Sequence, residues 1–204
     1  MVMAGDKRRL TAADWVDAGV TALAVGGPDA VAIEPIAVAL GTTKGSAYWH
    51  WPSRQALLTA ALERWREVAT TGVIATVEAA GGAAHDRLEL LLAIATSTVE
   101  QRPGELLTLA HPDPDVRAVV SEVTRERIEY VARLLVEYGI DPADAERRAV
   151  LAYSAYLGFA HLAATTPEAL PRAKDARVAL QHALVGLVTG ALASAGEPPS
   201  SRDE

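Results

Sequence analysis

Along most of the 204 residues, apolar positions recur at spacings of three and four, and no stretch alternates with the period of two that a strand requires. Trp15, Ala18, Gly19, Ala22 and Leu23 share one face of a helix predicted over residues 11–25. Thr11 followed by Asp14 is a capping-box pattern at its start, and Gly26-Gly27-Pro28 stops it. A second, short helix has Pro35 in its first turn, where the missing N–H costs nothing, and closes at Gly41. A third follows at once over residues 44–50. Ser53 then caps a long helix running to about residue 80, with Leu58, Leu62, Trp65, Ala69 and Gly72 as its inward stripe. The run Thr70-Thr71-Gly72-Val73 weakens that helix midway and predicts a bend.

Gly81-Gly82 breaks the pattern, which resumes over 84–101, stops at Pro103-Gly104 and continues to residue 110. His111-Pro-Asp-Pro-Asp115 reads as a loop and helix start, residues 116–138 as a helix of mixed charge, and Gly139-Ile-Asp-Pro142 as the next stop. Residues 149–167 and 178–196 hold no charged side chain, and each is apolar nearly all round. Helices of that kind bury more than one face. A small domain has too little core for two of them, so pairing with the same helices of a second copy, a four-helix homodimer interface, is expected. Nineteen uncharged residues also approach a membrane-spanning length. Ser154, Gly158, His161, Thr165 and Thr166 dilute the first stretch, and Gln181, His182, Thr189 and Ser194 the second, so no membrane partner is expected.

The reading is an all-α chain in two domains. Residues 1–53 form a three-helix helix-turn-helix unit with a basic arm, residues 54–195 a larger helical domain, and residues 196–204, with Pro198-Pro-Ser-Ser, a disordered tail. The third helix would be only about 10 Å long. It is poor as a core element and suits a DNA major groove about 12 Å wide. Lys44 and Ser46 at its start can reach base edges or phosphates, with Thr42, Thr43 and Gly45 at the same approach. Trp49 can stack on a sugar or a base methyl, Trp51 suits the core, and Arg54 near a helix start suits a phosphate.

The run Thr42-Thr-Lys-Gly-Ser-Ala-Tyr-Trp-His-Trp-Pro-Ser-Arg-Gln-Ala-Leu-Leu58, together with Leu10-Thr11, Asp17-Ala18, Leu23, Gly27 and Ile36-Ala37, resembles the TetR family of bacterial transcriptional regulators. The resemblance covers residues 10–66, and Tyr48-x-His50 before Pro52-Ser53-Arg54 is its most specific part. It implies that Tyr48 and His50 contact phosphates. It also implies a dimeric repressor on a palindromic double-stranded operator, released when a small apolar effector enters the body and tilts the long helix. Two positions depart from the family pattern. Ala32 and Glu34 stand where Thr and often a basic residue are usual, so an N-cap and a phosphate contact are missing there.

Half the residues are hydrophobic, 5% are aromatic and none is cysteine. That excludes disulfide and thiolate chemistry and fits a reducing compartment. The first nine residues lack the apolar run of a secretory signal, and a cytoplasmic protein is expected. The net charge of −7 is unevenly spread: residues 1–66 hold seven Lys/Arg against six Asp/Glu, and the remainder twelve against twenty. Affinity for duplex DNA comes largely from neutralised phosphates. Lys7, Arg8, Arg9, Lys44 and Arg54 must therefore supply most of it.

No glycine-elbow serine, Gly-rich phosphate loop or metal-ligand spacing of histidines is present, so neither an enzyme nor a cofactor is expected. Asp141, Asp144 and Glu146 read as helix-start charges. In the larger domain Trp65, His111, Tyr153, Tyr156, Phe159 and His161 are the inward candidates for a mostly apolar effector pocket. The same residues can be plain core, and Tyr156, Gly158 and Phe159 can lie at the dimer seam. Two other functions remain open on this sequence: a ligand-independent DNA-binding protein, and a helical carrier with a degenerate head.

Overall fold

The computed structural model describes residues 10–99 and 104–190, and every regular element among them is helical. Lys7, Arg8 and Arg9 and the tail 196–204 lie outside the described residues. Helix α1, Ala12–Ala30, opens with the expected capping box: Thr11 Oγ1 accepts from the Asp14 N–H at 3.3 Å, and Asp14 Oδ2 accepts from the Thr11 N–H at 2.7 Å. Gly27 at φ 69° kinks the helix where the stop is predicted, a conformation that glycine adopts without strain. α2, Ile33–Ala39, begins at Ala32 with no side-chain cap. Gly41 at φ 64° turns the chain into α3, Lys44–Tyr48, two residues shorter than the predicted 44–50.

α4, Arg54–Arg66, starts on Ser53, whose hydroxyl accepts from the Ala56 N–H at 3.1 Å. Trp15, Leu23, Ile36, Ala47, Leu57 and Leu58 are all 3% exposed or less and close the head's core. Gly19 lets α1 and α4 approach closely, since a Cβ there would sit 3.1 Å from that of Ala61.

The long helix is continuous but not regular. A π-turn, Glu67–Thr71, joins α4 to α5, Gly72–Ala80, and the Gly72 N–H reaches back five residues to the Glu67 carbonyl. One extra residue in the turn shifts the inward stripe by one position. Leu58, Leu62, Trp65 and Ala69 are buried as expected, but Gly72 is exposed, and Val77, with Val73 half-buried, continues the stripe. The expectation for Gly72 is corrected for that reason: a 3.6-residue period cannot be extrapolated across a π-turn.

α6, Ala84–Val99, and α7, Gly104–Leu109, precede α8, Pro114–Tyr138, which starts on Asp113 and ends at Gly139 with φ 108°. α9, Pro142–Thr165, starts on Asp141, whose Oδ1 accepts from the Ala143 N–H at 3.0 Å. α10, Lys174–Thr189, closes the described chain, and Arg148 ties α9 to its end by donating to the Val188 carbonyl at 2.9 Å and to that of Gly190. The uncharged stretches thus include the later parts of α9 and α10, each entered through a charged turn, and residues 191–196 of the second lie outside the described residues. Within one chain they bury one face only. Ala149, Ala152 and Tyr153 point inward on α9 and Val185 and Val188 on α10, whereas Leu151 and Leu187 are 54% and 63% exposed. Among the described residues no helix is long and apolar enough to cross a membrane.

α7 packs on α1, and Val116 and Val123 of α8 enter the head's core beside Leu62 and Trp65. Arg66 of α4 reaches Glu122 at 3.0 Å and Glu126 at 3.2 Å on α8. The head is therefore held by side chains of the body on two sides, in addition to the covalent link through α4.

Candidate nucleic-acid interface and internal cavity

Helix α3 stands on one buried residue, Ala47, and turns most of its side chains outward. Tyr48 is 56% and Trp49 88% exposed, the latter an extent unusual for so large an aromatic side chain. Thr43, Lys44 and Gly45 are exposed and Thr42, Ser46 and His50 half-buried on the same surface. Together they make up the outward side of α3 and the turns flanking it, a ridge of exposed and half-buried side chains. Lys44 Nζ is bound to Glu34 Oε1 of α2 at 2.8 Å. Arg54 lies elsewhere: its Nη2 donates to the Pro28 carbonyl at 2.7 Å and lies 3.9 Å from Asp29 Oδ1, bracing the kink of α1.

The body encloses a cavity of about 710 Å³, its open mouth included, between the π-turn and helices α5, α6, α8 and α9, with Glu105 of α7 at one end. Its walls are apolar, from Val73 and Ile74 of α5 through Leu91, Leu92 and Ile94 of α6 to Val131 of α8. Tyr130 of the lining faces Glu78, and the other polar contacts gather around Arg127. Arg127 donates from Nη1 to Glu105 Oε1 at 2.8 Å, from Nε to Thr70 Oγ1 at 3.0 Å, and from Nη2 to the Ala69 carbonyl at 3.2 Å. The last two acceptors belong to the π-turn, where the helical ladder is irregular. The guanidinium also lies 5.7 Å from the Trp65 ring and 5.8 Å from that of Tyr156, within cation–π range.

Tyr156 Oη donates to the same Glu105 oxygen at 3.0 Å. Burial first, and then the Glu105 carboxylate, hold that phenol well above its ordinary range, so it stays protonated. Burial opposes the charge on Arg127, but Glu105, with smaller contributions from Tyr156 and Tyr153, raises its pKa on balance. Tyr153 shares a hydrogen bond with Thr124 at 3.3 Å. A second space of about 350 Å³ lies between α1 and α7, lined by Val20, Leu23, Trp65 and Thr108. Ala69 and Glu105 border both spaces.

Of the six residues the sequence offers for a pocket, Tyr153 and Tyr156 line the main cavity, and Trp65 lines the second space beneath Arg127. The other three, His111, Phe159 and His161, lie outside the lining of this cavity. His111 sits at the junction with the head, its Nε2 3.5 Å from Asp29 Oδ1, because the loop before α8 runs past the α1 kink. Phe159 is half-buried and His161 exposed, both further along α9 than Tyr156 and outside the cavity lining. Arg127 and Glu105 are missed by the sequence reading. A signal for Arg127 was present: it falls in register with Val116, Val123, Tyr130 and Leu134, a charge set in the buried stripe of α8.

The head is a helix-turn-helix unit carried on an all-helical body. Residues 16–61 match the family model for bacterial regulatory proteins of the tetR family, so the head is similar to the DNA-binding head of that family. No curated protein sequence matches the chain. Solved structures share the fold over most of their length. The transcriptional regulator FadR from Bacillus subtilis in complex with stearoyl-CoA is 16% identical with a TM-score of 0.61, over 88% of this chain and 98% of that one. AibR in complex with isovaleryl coenzyme A and operator DNA is 16% identical with a TM-score of 0.62, over 86% and 96%. A TetR-like transcriptional regulator from Rhodococcus sp. RHA1 is 21% identical with a TM-score of 0.66, over 88% and 96%.

Proposed function

We propose that this protein is a homodimeric repressor that leaves its operator when an apolar small molecule fills the cavity between α5, α6, α8 and α9. The observation that carries the reading is the long helix. One continuous element carries the core residues Leu57 and Leu58 of the head and, past the π-turn, Val73 and Ile74 of the cavity wall. The ridge of Thr42, Thr43, Lys44, Gly45, Ser46, Tyr48, Trp49 and His50 enters the major groove, and Lys7, Arg8 and Arg9 follow the adjacent backbone. Arg54 acts from behind, by holding the α1 kink.

The dimer forms through the outward faces of α9 and α10, where Val150, Leu151, Leu180 and Leu187 stand exposed in the single chain. Two heads then meet half-sites about 34–36 Å apart, and a ligand that tilts the long helix changes that spacing. The complexes of FadR with stearoyl-CoA and of AibR with isovaleryl coenzyme A and operator DNA support an acyl group as the apolar part of the effector.

The test begins with a duplex selected by the protein from a random library. Fluorescence anisotropy on it should give a dimer-sized complex that stearoyl-CoA, decanoyl-CoA or isovaleryl-CoA dissociates. Tight operator binding that no acyl compound alters would make the protein a ligand-independent DNA-binding protein.

A further inference from the structure

The polar end of the cavity is already balanced in charge. Arg127 and Glu105 form an ion pair at 2.8 Å, with side-chain exposures of 14% and 7%, inside otherwise apolar walls. A guanidinium has five N–H groups. Three of the Arg127 donors are directed at Glu105, Thr70 and the Ala69 carbonyl, one from each nitrogen. Tyr156 spends its only proton on Glu105 and keeps its oxygen lone pairs. The end of the cavity thus offers hydrogen bonding in both senses and no net charge.

An entering carboxylate would put a second anion beside Glu105, and an entering amine a second cation beside Arg127. Each leaves a charge uncompensated in an apolar site, which is strongly unfavourable. An uncharged oxygen can take a remaining Arg127 N–H, or donate to Tyr156, without opening the pair.

We propose that what enters the cavity is uncharged: an apolar chain or ring bearing one carbonyl or hydroxyl oxygen, seated at Arg127 and Tyr156. This deepens the ligand-responsive reading and rests on it. The same chemistry is offered by a free neutral amphiphile, or by the acyl part of a thioester whose charged remainder stays outside.

The experiment titrates the full-length protein at pH 7.5 with 2-undecanone, decanoate, decylamine and decanoyl-CoA, all below micellar concentration. Tryptophan fluorescence follows binding, because Trp65 lies under Arg127. The ketone or the thioester should bind, and their order tells which source applies. Decanoate and decylamine should each bind weaker than the better of these by on the order of tenfold or more. Decanoate should gain affinity on acidification as it becomes neutral. Glu105→Gln, which leaves Arg127 unbalanced, should turn the preference to decanoate, and the double substitution Glu105→Gln/Arg127→Gln should restore the neutral preference. If Glu105→Gln does not fold, the wild-type ranking and the double variant still decide. Decanoate or decylamine binding to the wild type as tightly as the neutral probes overturns the inference and leaves the ligand-responsive reading standing. Binding of none of the four removes that reading too.

Discussion

Lys44 Nζ lies 2.8 Å from Glu34 Oε1, a bond across the turn of the helix-turn-helix between two side chains that are 64% and 70% exposed. The hydrogen bond from Lys44, and then its charge, hold the Glu34 carboxyl below its usual range, and the same contact raises the pKa of Lys44. The foremost cation of the ridge is therefore matched by an anion. Glu34 sits at one of the two positions where the sequence departs from the TetR pattern, so the departure has a partner and not merely a missing contact.

Replacing Glu34 by Gln removes the anion and leaves the helix start in place. Lys44 is then free for phosphate. Affinity for a non-specific duplex should rise, and the slope of log affinity against log salt should steepen by about one. Lys44→Ala should do the reverse, flattening the slope by about one, or should cost about 1–3 kcal/mol on the selected operator if the lysine reads a base. Anisotropy titrations between 50 and 200 mM salt, a range set by counterion release, distinguish these outcomes. Unchanged slopes in both variants would place the pair away from DNA.

The head was legible because its signals are local. Thr11 with Asp14, Gly27, Gly41 and Ser53 each act within one turn of helix, and the structure shows each at a boundary. The cavity was less legible because its chemistry is tertiary. Arg127 and Glu105 meet across 22 residues of sequence, and Arg127 reaches the π-turn 57 residues before it. Nothing within one turn of either residue announces the other. The π-turn was foreseen only as a bend, since Thr70-Thr71-Gly72 weakens an α-helix without fixing how it yields. The aromatic candidates on α9 divided for a related reason. Tyr153 and Tyr156 fall on the cavity side, whereas Phe159 and His161 lie beyond the cavity, and composition cannot tell these apart.

Leu187 is 63% exposed on α10, so a charge there meets water in the single chain and an apolar seam in the proposed dimer. Leu187→Glu should dissociate the dimer at micromolar concentration. The intrinsic stability of the monomer should change by less than about 0.5 kcal/mol, as for an ordinary surface substitution. Sedimentation velocity reads the first effect and denaturant unfolding of the monomer the second. A variant that stays dimeric would show the interface to lie elsewhere.

Gly72 closes the π-turn, and a Cβ on it would lie 2.9 Å from the Glu67 carbonyl oxygen. In an ordinary exposed helix position Gly→Ala stabilises by about 1 kcal/mol. Here that gain should be lost or reversed, because the methyl group pushes on the carbonyl that accepts the Gly72 N–H. Thermal unfolding of Gly72→Ala beside a control such as Gly45→Ala, where a Cβ meets only Thr43 Oγ1 at an ordinary 3.7 Å, separates steric conflict from propensity. A Gly72→Ala protein as much stabilised as the control would mean that the turn relaxes freely.

Deleting Thr71 should convert the π-turn into regular α-helix while keeping the faces of α4 and α5 in register, because the turn holds one residue more than an α-helix needs. Thr70 is retained in sequence, but the irregular turn that presents Thr70 Oγ1 and the Ala69 carbonyl to Arg127 is lost. The cavity and the reading head should each stay intact, so affinity for ligand alone and operator alone should change little. The coupling between them should fall, since the junction loses the irregular turn through which Arg127 grips the long helix. Linkage requires that a ligand weakens operator binding by the same factor by which operator weakens ligand binding, typically about 5–150-fold. Titrating ligand with and without operator, in the native protein and in the deletion variant, measures that factor twice. A factor equal in both would show that the turn does not transmit. Loss of ligand affinity in the variant without operator would show instead that the turn shapes the cavity itself.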